Sequence, residues 1–194
     1  DAPGITPDPA IRSMVEGYAR QVAPRVQQVV ATAAAPLLRQ PNEAGESALG
    51  DLIADSQRWK MGVQMAFMTP GGIRADVDAG EITWGELYTV QPFNNYLVAM
   101  TLTGQQIERL LEQQWVDQPS PRILQISGLR YTWHADRPVG DRVDPGEIFL
   151  EDGTPVRPDG RYRVVVNSFL ADGGDNFTVL RQGTERVVCP IDLD

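Results

Sequence analysis

The sequence predicts a single α+β domain, on three observations. Segments of helical period and of strand period alternate without the regular strand–helix–strand rhythm of a doubly wound sheet. Short alternating runs separated by Pro, Gly and Asp crowd the second half of the chain, whereas the first half opens on helical patterns. The 194 residues, 42% of them apolar, suffice for one sizeable core and fall short of two ordinary domains.

The elements follow in chain order. Residues 1–7, with Pro and Gly, read as a linker. Asp8-Pro9 places an N-cap acid before a Pro at the first helical position, and Ile11, Val15, Tyr18 and Val22 recur at helical spacing. An amphipathic helix is expected over 9–23, ended or bent by Pro24. Residues 25–35 suggest a strand around Val26, Val29 and Val30, followed by a loop to Glu46. Ser47 caps a second helix over 47–60, with Leu49, Leu52 and Ile53 on one face. Val63 to Met68 is a short buried strand, after which a polar loop runs through Gly80. Thr83-Trp84-Gly85-Glu86 has the spacing of a capping box and opens a short helix that Gln91-Pro92-Phe93 breaks. Tyr96 to Thr103 alternates as a strand. Thr103 then caps a helix over 104–116 that turns Ile107, Leu110, Leu111 and Trp115 inward; Trp84 is expected in the core as well. Strands are expected over 123–133, 147–150 and 161–169, and a strand or turn over 176–181. Pro190 to Asp194 reads as the start of a helix that is cut off.

Composition narrows the function. A net charge of −9 argues against a nucleic-acid partner, which would select a basic face. No apolar run approaches the roughly 18 residues of a membrane span, and the opening Asp1-Ala2-Pro3 lacks the basic-then-apolar start of a signal peptide. Cys189 is the lone cysteine, so no internal disulfide is possible; with His134 it makes a poor nucleophile–base pair, being in the tail while His134 borders a turn. One histidine and no ligand-spaced motif speak against a self-contained two-metal centre and leave only an all-carboxylate site open.

Two glycine-rich turns carry the chemistry. Gly71-Gly72-Ile73-Arg74 follows the apolar run ending at Met68, and Asp172-Gly173-Gly174-Asp175 follows the run ending at Leu170. Paired glycines let the backbone approach a ligand closely. Phe93 and Phe169 stand beside these turns, where they serve either as core residues or as a pair of rings sandwiching a flat ligand, at roughly 1 to 3 kcal/mol per stacked base. Arg74 is either a surface cation or a forked grip for phosphate or carboxylate. Asp175 either closes an Asx turn or accepts hydrogen bonds from two ribose hydroxyls. Asn94 and Asn95 sit where they reach a base edge or simply build a turn. Glu46, Asp51 and Asp55, on or beside the second helix, read as a solvated helix face before they read as acid–base catalysts.

Six ordered segments together resemble the C-terminal domain of the 5'-nucleotidase family: Glu46 to Asp55, Gly71 to Arg74, Gly80 to Leu87, Gln91-Pro92-Phe93, Leu124 to Leu129 and Asn167 to Asp175. The resemblance implies a layered α/β/β/α domain over 31–194, with a connector helix and first elements over 8–30. It further implies a two-domain enzyme, of the bacterial 5'-nucleotidase or UDP-sugar hydrolase kind. There, an N-terminal metallophosphoesterase domain holds two divalent metal ions, and the C-terminal domain, with no cofactor of its own, binds the nucleoside or nucleotide. By motif, Phe93 and Phe169 become the stacking pair, Arg74 meets the phosphate side, Asp175 binds the ribose, Asn95 contacts the base, and Gly72 permits close approach. A secreted, periplasmic or cell-surface location is implied by the family alone. Two departures stand out. Gly45 replaces an Arg that precedes the Glu-Ser pair in many members, and Thr69-Pro70 replaces Asn or Ser with a third Gly. One lost arginine removes on the order of 1.5 to 3 kcal/mol of charge-assisted hydrogen bonding. That leaves cyclic nucleotides, UDP-sugars and dinucleotides open beside simple monophosphates, and with them a non-catalytic module that keeps the fold without the ligand.

Overall fold

The computed structural model describes Thr6 and residues 8–192, so the linker expected over 1–7 lies, Thr6 aside, outside the described residues. Asp8 caps α1 (Pro9–Val26) by accepting from the Ala10 and Ile11 amides. The helix runs on through Pro24 instead of stopping there. Pro24 lies in the last turn, where its missing N–H costs one intrahelical bond, and Arg25 just beyond it lies 4.5 Å over the Trp84 ring. Trp84 is therefore half-buried under that cation and not a core residue. None of the residues of α1 is buried, and its apolar stripe at Ile11, Val15, Tyr18 and Val22 is exposed.

β1 (Val29–Ala33) is shorter than its sequence pattern suggests and pairs antiparallel with β3 (Gly80–Thr83), where the sequence pattern marks no strand between the loop through Gly80 and the capping box at Thr83. Only Ile82 of β3 is buried, which is why no alternation marks it. Ser47 Oγ accepts from the Gly50 amide to open α2 (Ala48–Met61), and β2 (Met65–Met68) follows. Reciprocal capping boxes, Thr83 with Glu86 and Thr103 with Gln106, start α3 (Trp84–Val90) and α4 (Gly104–Glu112) on either side of β4 (Tyr96–Thr103). Turns, not helix, carry the chain over 113–117, with Trp115 still buried. The expected strand over 123–133 is two strands, β5 (Gln125–Ser127) and β6 (Leu129–Trp133), divided at Gly128. β7 (Val143–Leu150) pairs with β6, and β8 (Arg161–Asn167) gives way at once to the single turn of α5 (Ser168–Ala171). Residues Thr178–Gln182 form a 3-10 turn.

The tail corrects the sequence reading. Thr184–Asp192 is a strand, β9, paired with β4, and not the start of a helix. It closes one edge of the sheet, the position where a strand tolerates a residue such as Pro190 that has no N–H to give.

The main sheet has the order β5-β2-β8-β4-β9. β2 and β8 run parallel, and the other neighbours are antiparallel. Side chains alternate across it with period two. Met65, Phe67, Val164 and Val166 join Ile107, Leu110 and Leu111 of α4, and Val143 and Ile148 of β7, in the larger core. Ala66, Val165 and Cys189 pack with Ala54 of α2 on the opposite face. A third cluster, built on Leu49, Met68, Ile73 and Ile82, ties α2 to the β1–β3 ribbon. The domain is thus α+β, as its interleaved patterns predict.

Candidate functional site

β2 and β8 are parallel neighbours, so both end at the same edge of the sheet, β2 at Met68 and β8 at Asn167. β4, antiparallel to β8, begins there. Everything just past β2, just past β8 and just before β4 is therefore gathered at one place. A cavity of about 440 Å³ opens at that edge. It is lined by all six residues singled out from the sequence (Phe93, Phe169, Arg74, Asp175, Asn95 and Gly72), together with Thr69, Gly71, Arg122 and Asn167.

Neither aromatic is a core residue: Phe93 is 49% exposed and Phe169 46%. Each is placed by backbone and small neighbours. Phe169 stands in the only turn of α5, which Asn167 caps by accepting from the Leu170 amide. Its ring lies flat on Gly174, where a Cβ would come within 2.5 Å of Cε1. Asn95 Oδ1, two residues past Phe93, accepts from Ser168 Oγ at 2.9 Å, and Ser168 Oγ accepts from the Tyr96 amide. The loops that carry the two rings are therefore hydrogen-bonded to each other, which fixes the spacing between them.

The polar side centres on Asp175. Its φ of 51° and that of Asn176 at 63° are left-handed conformations that Asp and Asn tolerate better than other side-chain-bearing residues. The turn is held by Gln118, which donates to the Asp175 carbonyl, and by Asn176, which donates to the Asp117 carbonyl at 2.9 Å. Held so, the carboxylate is 17% exposed; Thr69 Oγ1 donates to its Oδ2 at 2.7 Å and Arg122 Nη1 stands 3.1 Å from Oδ1. Arg74 has a different setting. It is exposed, donates from Nη1 to the Gly71 carbonyl at 3.2 Å, and pairs with no carboxylate among the described residues. The missing Cβ at Gly72 leaves room for the Met68 methyl as well as for the cavity. Asn167 opens the Asn167 to Asp175 segment without being singled out as a site residue, position 69 is marked only by the Thr69-Pro70 departure, and Arg122 carries no motif.

Glu46 and Asp51 lie together outside this cavity. Burial, and then Asp51, holds the Glu46 carboxyl above its ordinary range; burial, and then Asp55, does the same to Asp51. Asp51 Oδ1 is buried without a partner, while Asp55 accepts from Ser127 Oγ. A carboxyl raised in the folded state gives stability that is complete below its unfolded pKa of about 4 and is lost as pH rises through the raised value. The positive end of the α2 dipole favours charge at Asp51, yet burial and Asp55 outweigh it. Asp51→Asn is expected to raise the thermal midpoint at pH 7 by about 1 to 3 °C, with the gain vanishing below about pH 4. Melts at both pH values check this; a lower midpoint at pH 7, or a gain equal at both, refutes it.

Among the described residues no group of three or more His, Cys, Asp or Glu side chains is placed to hold a metal ion. Cys189 and His134 do not form a dyad: Cys189 is buried in the sheet among Ala54, Ala66 and Val165, whereas His134 pairs with Glu147 at 3.0 Å beyond β6.

Residues 29–182 match the sequence model of the 5'-nucleotidase, C-terminal domain family. Among solved structures, the chain is similar to a 5'-nucleotidase precursor from Thermus thermophilus, with a TM-score of 0.78 and 42% identity over 91% of this chain and 36% of that one. Among curated proteins it is 35% identical over 171 residues to the endonuclease YhcR of Bacillus subtilis, covering 88% of this chain and 14% of that protein. It is 39% identical over 160 residues to the cell wall protein Lmo0130 of Listeria monocytogenes, covering 77% of this chain and 20% of that protein. The chain thus spans about a seventh to a third of the length of these relatives.

Proposed function

This chain belongs to the 5'-nucleotidase C-terminal domain family, and from that premise we propose that it is the nucleotide-binding specificity domain of a phosphoric ester hydrolase. In this reading Phe93 and Phe169 sandwich the base and Asn95 touches its edge. Asp175 accepts from the ribose hydroxyls, and Arg74 faces the phosphate side while the backbone at Gly72 lies close to the ligand. Hydrolysis to nucleoside and phosphate belongs to an N-terminal metallophosphoesterase domain with two divalent metal ions. The 194 residues alone are expected to be inactive. The cell wall relative and the precursor form of the Thermus nucleotidase support an extracellular or cell-surface setting, and among the described residues no helix is long and apolar enough to cross a membrane.

The single observation that carries the reading is the meeting of two half-exposed rings with Asp175 and Arg74 in one cavity at the shared end of β2 and β8. Two half-exposed rings held beside left-handed polar turns at one cavity mouth give a flat ligand an apolar face on each of two loops. A rival reading, a non-catalytic module without a ligand, is favoured by one feature: Thr69 and Arg122 already occupy both oxygens of Asp175. Calorimetric titration with adenosine, AMP, UMP and UDP-glucose, without metal, separates the two. Saturable binding of one of them is expected; no binding of any at millimolar concentration overturns the proposal in favour of the module.

A further inference from the structure

Resting on that reading, we propose that Arg122 is a specificity-determining residue whose guanidinium recognises the anionic group of the ligand, so that the cavity prefers a nucleotide to its nucleoside. Four observations lead there. Arg122 lines the cavity, and its Nη1 lies 3.5 Å from where a Cβ on Gly71 would stand. Arg74 donates to the carbonyl of the same Gly71, so two guanidinium groups flank one glycine. Against Asp175 alone, they leave the cavity with a formal excess of one positive charge in a chain of net charge −9. Finally, Arg122 Nε is buried with no hydrogen-bond partner. A guanidinium has five N–H donors in a fixed fork suited to phosphate and carboxylate, and a buried donor left unpaired is costly unless a ligand or water satisfies it.

The loop that presents Arg122 is prepared for the task. Its own amide donates to the Gln114 carbonyl at 2.8 Å, and the Leu124 amide donates to Gln114 Oε1 at 2.7 Å. Gln114 is fully buried and bonded in turn to Tyr131. Gln125 accepts from the Ser47 amide and hydroxyl and donates to the Gly45 and Ile123 carbonyls, which clamps the 121–125 segment onto the 45–47 segment. That clamp also decides from which side a cation enters. A Cβ on Gly45 would lie 2.7 Å from the Ile123 side chain, so position 45 cannot carry an arginine in this structure. The cation on this side of the cavity stands on the facing segment, at 122. On binding, an anion takes over Arg122 from Asp175 Oδ1, and that oxygen becomes available to the hydroxyls of the same ligand.

The test is titration of the 194-residue chain and of Arg122→Gln and Arg122→Lys with adenosine, AMP, uridine and UMP, at two salt concentrations. The unmutated chain is expected to bind each monophosphate more tightly than its nucleoside. Arg122→Gln should lose about 10- to 100-fold in monophosphate affinity, with nucleoside affinity within about threefold, and should flatten the salt dependence; Arg122→Lys should keep part of the preference. Equal loss for nucleoside and monophosphate would make Arg122 a structural support of Asp175 and overturn the proposal. So would an undiminished preference in Arg122→Gln, which would assign the anion to Arg74 alone while leaving the nucleotide-binding reading intact. Absence of binding to the unmutated chain would overturn both.

Discussion

Replacing Phe93 and Phe169 together with alanine is expected to weaken nucleoside binding by between about 30-fold and about 2 × 10⁴-fold, the sum of two stacking contacts of roughly 1 to 3 kcal/mol each. The same variant is expected to melt within about 2 to 4 °C of the unmutated chain, because a half-exposed ring gives up little burial when removed. The fully buried Phe67 and Phe177 provide the contrast: alanine at either should cost about 3 to 5 kcal/mol. Calorimetry and thermal melts on the same samples read both quantities. A double variant that binds nucleoside as tightly as the unmutated chain would sink the stacking reading. A large fall in its midpoint would mean that the rings support the fold after all. Gly174→Ala is an independent probe of the same geometry, since its Cβ would displace the Phe169 ring without deleting it; it should reproduce the Phe169→Ala loss of affinity.

Turn chemistry is local, so the sequence marks the places of the rings, Arg74 and Asp175 beside glycine turns, while the choice between a packing role and a ligand role comes from the family resemblance. Glycine pairs after apolar runs mark strand ends, and strand ends that share an edge share whatever stands beside them. Local rules also sufficed for the helix starts, where Thr83 with Glu86 and Thr103 with Gln106 form the reciprocal bonds that their spacing predicts. Arg122 was not legible. It follows Gln118-Pro119-Ser120-Pro121 with no signature of its own, and its loop is fixed by Gln114 and by the clamp of Gln125 onto the distant 45–47 segment. β3 and β9 escaped for a related reason. One buries a single residue and the other is an edge strand with Val187 and Val188 exposed, so neither has the alternation that burial on one face imposes. For α1 the periodicity was plain, but a stripe at Ile11, Val15, Tyr18 and Val22 says only that the face is apolar and not that this domain buries it.

Gly128→Ala is expected to be among the most damaging single substitutions for stability, costing about 3 to 5 kcal/mol. Gly128 is the point at which the chain leaves the main sheet after β5 and enters the β6–β7 ribbon. Its φ of 81° is a conformation that a side-chain-bearing residue adopts only under strain. A Cβ there would also collide with the Gln64 carbonyl oxygen, which is backbone and cannot swing aside, and would come within 2.8 Å of Arg58 Nη1. Gly62 separates the two causes. It has a φ of 60° at the end of α2, but nothing lies within 4 Å of the place where its Cβ would be. Gly62→Ala should therefore show the conformational cost alone, about 1 kcal/mol, or roughly 2 to 4 °C of thermal midpoint for a chain of this size. Gly128→Ala should lower the midpoint by about 6 to 20 °C on the same scale. The ribbon is not an appendage that can detach to relieve the clash, because Leu129, Val143 and Ile148 are buried in the same core as Met65, Phe67 and Leu110. Moving the chain at Gly128 therefore disturbs the sheet whose shared edge holds the cavity. If Gly128→Ala melts no lower than Gly62→Ala, the backbone contact with Gln64 is not rigid, and the ribbon is free to shift without disturbing the main sheet.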